Sequence, residues 1–222
     1  MRLGIFFLVL VSFLACQKKE TKTTNTAPVT ETTETEVDDE KKAIIFFGNS
    51  ITAGYQLDLS EAFPAVIGKI VDSLKLDYRV VNAGLSGETT ASGNSRVGWV
   101  LKNKVDIFVL ELGANDGLRG ISTEETRKNL QSIIDKVKAK YPRAKIILAG
   151  MQIPPNLGQT YSDEFKNIYP DLAERNQIAL IPFILEGVAG ESDLNLEDGI
   201  HPTPGGHKIL ADNVWKVLQP LL

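Results

Sequence analysis

The sequence predicts an α/β sandwich built on a five-stranded parallel sheet, and three observations carry that reading. Five short apolar runs recur along residues 41–222, each bounded by Gly, Asn, Asp or Pro. The runs are apolar throughout rather than alternating, as expected of strands covered on both faces. Stretches with helical spacing lie between them, and strands alternating with helices imply a parallel sheet.

The elements follow in order. The first strand is Ala43–Phe47. Phe63, Val66, Ile67, Ile70, Val71 and Leu74 then fall on one stripe of a helix. The second strand is Arg79–Asn82 and the third Ile107–Leu112. Leu130, Ile133, Ile134 and Val137 mark another helix before the fourth strand, Lys145–Ala149. The fifth strand is Ala179–Pro182, and Ile209, Leu210, Val214, Val217 and Leu218 mark a last helix. No internal repeat is present.

Composition narrows the function. The chain has 222 residues, of which 43% are hydrophobic and 23% charged, an ordinary globular balance. Lys and Arg number 24 against 28 Asp and Glu, for a net charge of -4. That argues against a nucleic-acid partner, which normally needs a basic excess. The single cysteine, Cys16, excludes an internal disulfide and any multi-cysteine zinc site. Two histidines, His201 and His207, argue against a His-rich metal site, so neither a metal nor another cofactor is expected.

The N-terminus reads as an address. Met1-Arg2 precedes an apolar run, Leu3 to Ala15, interrupted only by Gly4 and Ser12. This is short for a membrane span and has the layout of a secretory signal peptide. Ser12-Phe13-Leu14-Ala15-Cys16 resembles a bacterial lipobox, although Phe13 stands where Leu is usual. The resemblance implies that residues 1–15 are removed and Cys16 is lipidated; the alternative is cleavage elsewhere, leaving a free thiol. Residues 16–40 are Thr- and Glu-rich with almost no large apolar side chains, so a disordered tether is expected. The folded domain is then 41–222. The expected location is outside the cytoplasm, membrane-anchored through Cys16 and facing the periplasm or the exterior.

Ligands of open α/β sheets sit beyond the carboxyl ends of the strands, so the segments there matter most. Gly48-Asn49-Ser50-Ile51-Thr52-Ala53-Gly54 follows the first strand. Asn82-Ala83-Gly84-Leu85-Ser86-Gly87-Glu88-Thr89 closes the second, and Gly113-Ala114-Asn115-Asp116-Gly117 follows the third. Asp198-Gly199-Ile200-His201-Pro202 comes near the end. Each alone reads as a turn. In this order they resemble the blocks of the SGNH (GDSL-like) hydrolase superfamily, which supply Ser, Gly, Asn and His in turn. The resemblance runs from about Ala43 to the C-terminus. GANDGLRG, IPPNLG and EFKNIYPDLA are similar to the bacterial acyl-CoA thioesterase I, lysophospholipase and arylesterase group. It implies a three-layer, flavodoxin-like αβα fold and a serine hydrolase of esters or thioesters acting through an acyl-enzyme.

The resemblance also implies roles. Ser50 is the expected nucleophile, and a serine hydroxyl needs an adjacent base. His201 is the expected base, returning the proton to the leaving group. Asp198 would orient His201 on a loop kept non-helical by Pro202. Glu197 and Asp193 are nearby alternatives. Gly87 and Asn115 would form the oxyanion hole with the backbone N–H of Ser50, the glycine by close backbone approach. Gly84 is a second candidate in the same loop. Asp116 is expected to hold its loop, and His207 to be structural or solvated.

One position departs from the family. The first block usually reads Gly-Asp-Ser, and here Asn49 keeps the shape while removing a negative charge beside Ser50. A shifted pH optimum or substrate range is the expected consequence. The segments 117–122 and 151–158 should rim the pocket, with Leu118, Ile121, Ile153 and Pro154 as an apolar wall for an acyl chain. Outside the cytoplasm the acyl-CoA pool is absent, so lysophospholipids or small acyl and aryl esters are the expected substrates. A carbohydrate O-acetylesterase is the alternative, favoured by a small polar pocket. A non-catalytic binding protein on the same scaffold would have no need of Ser50, Gly87, Asn115, Asp198 and His201 together.

Overall fold

The structure is a computed structural model that describes residues 41–222; the leader, Cys16 and the tether lie outside the described residues. Strands β1 (Lys42–Gly48), β2 (Tyr78–Gly84), β3 (Ile107–Glu111), β4 (Lys145–Ala149) and β5 (Ala179–Ile181) form one sheet. All pairings are parallel and the order is β2-β1-β3-β4-β5, the flavodoxin-like order. Ile44 lies opposite Val80 on one side and Ile107 on the other. Every residue of β3 is buried, as is every residue of β1 after Lys42, which is why these runs lack alternation. The edge strand β2 is only half-buried.

Helices α1 (Ser50–Ala53), α2 (Phe63–Ser73), α3 (Thr90–Val100) and α4 (Ala114–Leu118) precede α5 (Thr123–Lys140), α6 (Gln159–Asn176) and α7 (Pro204–Leu218). α2 packs with α7; α3, α5 and α6 form a second packed set, giving an αβα sandwich. The predicted stripes bury Phe63, Ile67 and Val71 on α2, Leu130, Ile133, Ile134 and Val137 on α5, and Leu210, Val214 and Leu218 on α7. Leu74 departs from its stripe: it is the C-cap of α2 and lies exposed.

Strand ends differ where pairing outlasts apolar character. β2 continues to Gly84 because Asn82, Ala83 and Gly84 stay in register with Phe46, Phe47 and Gly48. Gly84 therefore belongs to the sheet, not to the loop beyond it.

The chain leaves β1 toward one edge of the sheet and β3 toward the other. Their carboxyl ends thus open a crevice at a topological switch point. Ser50 begins α1 directly after β1, and Asn115 lies in α4 directly after β3.

Candidate active site

Ser50 sits at the head of a one-turn helix. Asn49 caps that turn, its Oδ1 accepting from the Ile51 N–H at 2.9 Å, and Gly54 ends it in the left-handed region. Asn82 anchors the turn from the neighbouring strand by donating to the Thr52 carbonyl at 2.8 Å. Ser50 needs no capping role of its own, so its hydroxyl is available for other partners.

That partner comes from the last loop. An antiparallel bridge between Asn195 and Pro202 closes the segment, and the Leu196 N–H donates to the His201 carbonyl at 2.7 Å. Within it, His201 Nε2 lies 2.8 Å from Ser50 Oγ and Nδ1 lies 2.7 Å from Asp198 Oδ2. The backbone N–H groups of Ile200 and His201 both donate to Asp198 Oδ1 at 3.0 Å. Burial alone would raise the Asp198 pKa, but the bonds from the His201 ring and these two N–H groups outweigh it and hold it at about 2. An ionised Asp198 accepts only, so Nδ1 carries the proton and Nε2 is left to accept from Ser50. Asp198, not Glu197 or Asp193, is the carboxylate on the imidazole. Tyr55, unremarked in the sequence, lays its ring 4.4 Å from that of His201.

The oxyanion candidates fare differently. Asn115 lines the same cavity as Ser50 and His201. Its Nδ2 donates one N–H to the Glu88 carbonyl at 3.1 Å, which fixes the direction of the other. The Gly84 N–H is taken by Asn82 Oδ1 at 2.9 Å. Gly87 has φ 79, and a Cβ there would meet no atom within 4 Å. Its identity therefore reflects a left-handed turn rather than crowding by the protein. The turn is braced on both sides: Arg119 donates to the Gly87 carbonyl at 3.2 Å, and Arg96 Nε donates to the buried Glu88 carboxylate at 2.6 Å. Asp116 is buried and accepts from the Thr90 N–H at 2.8 Å, tying α4 to α3.

The cavity at Ser50 measures about 270 Å³. Leu118, Met151, Ile153, Pro154, Phe183 and Leu185 form much of its wall. Ile121 is not among the lining residues; its backbone carbonyl instead accepts from Tyr161 Oη at 2.6 Å. Beneath the site lies Glu111, which sequence reasoning passed over although a carboxylate inside an otherwise apolar strand is a signal. It is buried, and burial pushes its pKa up to about 7 against the hydrogen bonds from Thr52 and Asn49.

His207 is structural. It is buried, its Nδ1 accepts from the Phe63 N–H at 3.0 Å, and its ring stacks on Phe63. Burial, with a smaller contribution from His201, lowers its pKa from 6.5 to about 4. In acid the unfolded chain binds this proton before the folded one does. Stability from His207 is thus present above pH 6.5 and is lost as pH falls toward 4. The expected loss is about 1.4 kcal/mol per pH unit in that window. Glu111, with its raised pKa, contributes in the opposite sense over part of this window, so the difference from His207→Gln isolates His207. In denaturant unfolding, wild type should lose about this much more per pH unit than the variant; equal slopes would contradict the assignment.

A serine at a sheet switch point, bonded to a histidine that is bonded to a carboxylate, is the equipment of a hydrolase with an oxygen nucleophile. Residues 46–209 match the GDSL-like Lipase/Acylhydrolase family, and the chain belongs to it. It is 41% identical over 182 residues to Esterase TesA of Pseudomonas aeruginosa, covering 82% of this chain and 90% of that protein. It is 37% identical over 180 residues to Thioesterase 1/protease 1/lysophospholipase L1 of Escherichia coli strain K12, covering 81% and 84%. Among solved structures, AlinE4, an SGNH-hydrolase family esterase, is similar with a TM-score of 0.68 at 40% identity, covering 82% of this chain and 97% of that one. The protein is a carboxylic ester hydrolase with the SGNH fold.

Proposed function

We propose that the protein hydrolyses esters of apolar acyl chains through an acyl-enzyme on Ser50. The observation that carries this reading is the unbroken chain Ser50–His201–Asp198, at 2.8 and 2.7 Å, opening into an apolar cavity. Ser50 Oγ attacks the ester carbonyl carbon while its proton passes to His201 Nε2. The carbonyl oxygen becomes an oxyanion, met by the Ser50 backbone N–H, the second amide N–H of Asn115 and the Gly87 N–H. Asp198 stabilises the imidazolium. The tetrahedral centre collapses, His201 gives its proton to the departing alcohol or thiol, and the acyl group remains on Ser50. Water then attacks, losing a proton to His201, and the acid leaves as Ser50 regains its proton.

The wall of Leu118, Ile153, Phe183 and Leu185 favours an acyl chain over an acetyl group on a sugar. The lysophospholipase name of the Escherichia coli relative points the same way. Purified residues 41–222 should cleave p-nitrophenyl esters of medium or long chains faster than the acetate. Cleavage confined to acetate would replace this reading with a deacetylase of acetylated carbohydrate.

The signal-like leader and Cys16 support export and anchoring by a lipid on that cysteine, which would bring the enzyme to lysophospholipids or small esters at a membrane. Cys16→Ser should then move the protein from the membrane fraction to the soluble one; an unchanged distribution would contradict anchoring at Cys16.

A further inference from the structure

Glu111 ends β3 with its carboxyl group inside the protein, directly under the turn that carries Ser50. Oε1 accepts from Asn49 Nδ2 at 2.8 Å. Oε2 accepts from the Thr52 hydroxyl at 2.7 Å and from the Asn49 N–H at 3.3 Å. These donors are uncharged. Gly48 makes the arrangement possible: a Cβ there would stand 2.6 Å from Glu111 Oε2 and collide with the Thr52 hydroxyl.

The orientation of Asn49 is settled by its other contact. Its Oδ1 faces the Ile51 N–H, so Nδ2 must face Glu111. Residue 49 thus does two jobs: its acceptor caps α1, and its donor meets a carboxylate. An aspartate in its place could keep the cap but would set two carboxyl groups 2.8 Å apart in the interior. Tyr169 of α6, whose hydroxyl donates to the Leu112 carbonyl at 3.0 Å, is a titratable side chain that senses Glu111 from a packed helix.

We propose that Glu111 is a positioning residue for Ser50, holding the turn 48–52 as a hydrogen-bond acceptor, and that Asn49 is its required complement. The turn supplies both the attacking Oγ and the Ser50 backbone N–H. Displacing it acts on the transition state more than on binding of the acyl chain, which other segments hold. The inference rests on Ser50 being the nucleophile.

The test is a swap across the 2.8 Å contact. In Glu111→Gln the new amino group meets an N–H of Asn49 whichever way it turns, Nδ2 on one side or the backbone on the other. In Asn49→Asp two carboxyl groups face each other. In the double variant the amide introduced by Glu111→Gln would donate to the carboxylate introduced by Asn49→Asp. Its oxygen would accept from the Thr52 hydroxyl and the backbone N–H of the turn, so every contact is complementary again. Kinetics on a p-nitrophenyl butyrate probe should show each single variant losing roughly 10- to 100-fold in kcat with KM little changed. The Asn49→Asp loss should deepen as pH rises and both carboxyls ionise; the Glu111→Gln loss should not. The double variant should recover most of the loss, the non-additivity expected of groups in contact. Thermal unfolding of each variant separates misfolding from misplacement. Folded single variants with wild-type kcat, or a double variant no better than the worse single, would overturn the inference. Ser50→Ala in the same assay separates the two readings: activity surviving in it refutes the nucleophile, whereas its loss beside unaffected Glu111 and Asn49 variants refutes only the positioning role.

Discussion

Ser50→Ala is expected to lower kcat/KM for p-nitrophenyl esters by about 10⁴- to 10⁶-fold with the fold intact. The fold survives because Asn49, not Ser50, caps α1, and the Ser50 hydroxyl is engaged by His201 rather than by the scaffold. What remains is orientation and the oxyanion donors acting on water. His201→Asn should cost a similar factor, and the double variant little more, since the two groups act as one unit. An unfolding midpoint near that of wild type distinguishes this loss from misfolding. Substantial turnover by Ser50→Ala would contradict the nucleophile assignment.

Asp198→Asn is expected to lower kcat/KM by about 10⁴-fold, the magnitude such a substitution has in other serine hydrolases. Here the reason is readable in the hydrogen bonds. The N–H groups of Ile200 and His201 both point at Asp198 Oδ1. An asparagine would keep its oxygen there, turning its amino group toward His201 Nδ1. Two donors cannot face each other, so the imidazole would adopt the tautomer with the proton on Nε2. That nitrogen could then no longer accept from Ser50. Asp198→Glu would keep the charge but lengthen the side chain inside a tight loop, and should recover only part of the rate. An Asp198→Asn enzyme with near-normal kcat would mean that Asp198 does not set the tautomer.

The fold was legible because its signal is redundant. β1, β3 and β4 are apolar on both faces, and α2, α5 and α7 each show a stripe. α3 left no such trace: TASGNSRVGWV has two glycines and few apolar residues, since Gly93 packs closely on the Leu112 side chain. α6 hides behind Pro170 in its interior, though it buries Phe165, Ile168, Tyr169 and Leu172. Ser50, Asp198 and His201 were legible through the resemblance of their ordered blocks to the SGNH hydrolases, since each block alone reads as a turn. The placement of the blocks after strands and the carboxylate three residues before His201 agree with it. Of the supporting groups, Asn115 was read from the same resemblance and lines the cavity with Ser50 and His201, whereas others were hidden. Whether Gly84 or Gly87 lies beyond the sheet depends on how far parallel pairing runs, which composition does not encode. Ile121 looked like pocket wall because it is apolar and close in sequence to Leu118, yet its carbonyl is tied to Tyr161, outside the cavity lining. Glu111 was hidden by its apolar neighbours, and its meaning depends on Asn49, 62 residues away.

If acyl groups pass through Ser50, its hydroxyl must be the group that electrophilic ester analogues capture. The most direct measurement is mass spectrometry of the protein after reaction with a p-nitrophenyl alkylphosphonate, which phosphonylates an activated serine and releases p-nitrophenol. One adduct per chain is expected, on the peptide containing Ser50, absent from Ser50→Ala and formed far more slowly in His201→Asn. An adduct on another residue, or an unmodified Ser50 in enzyme that the reagent has inactivated, would contradict it.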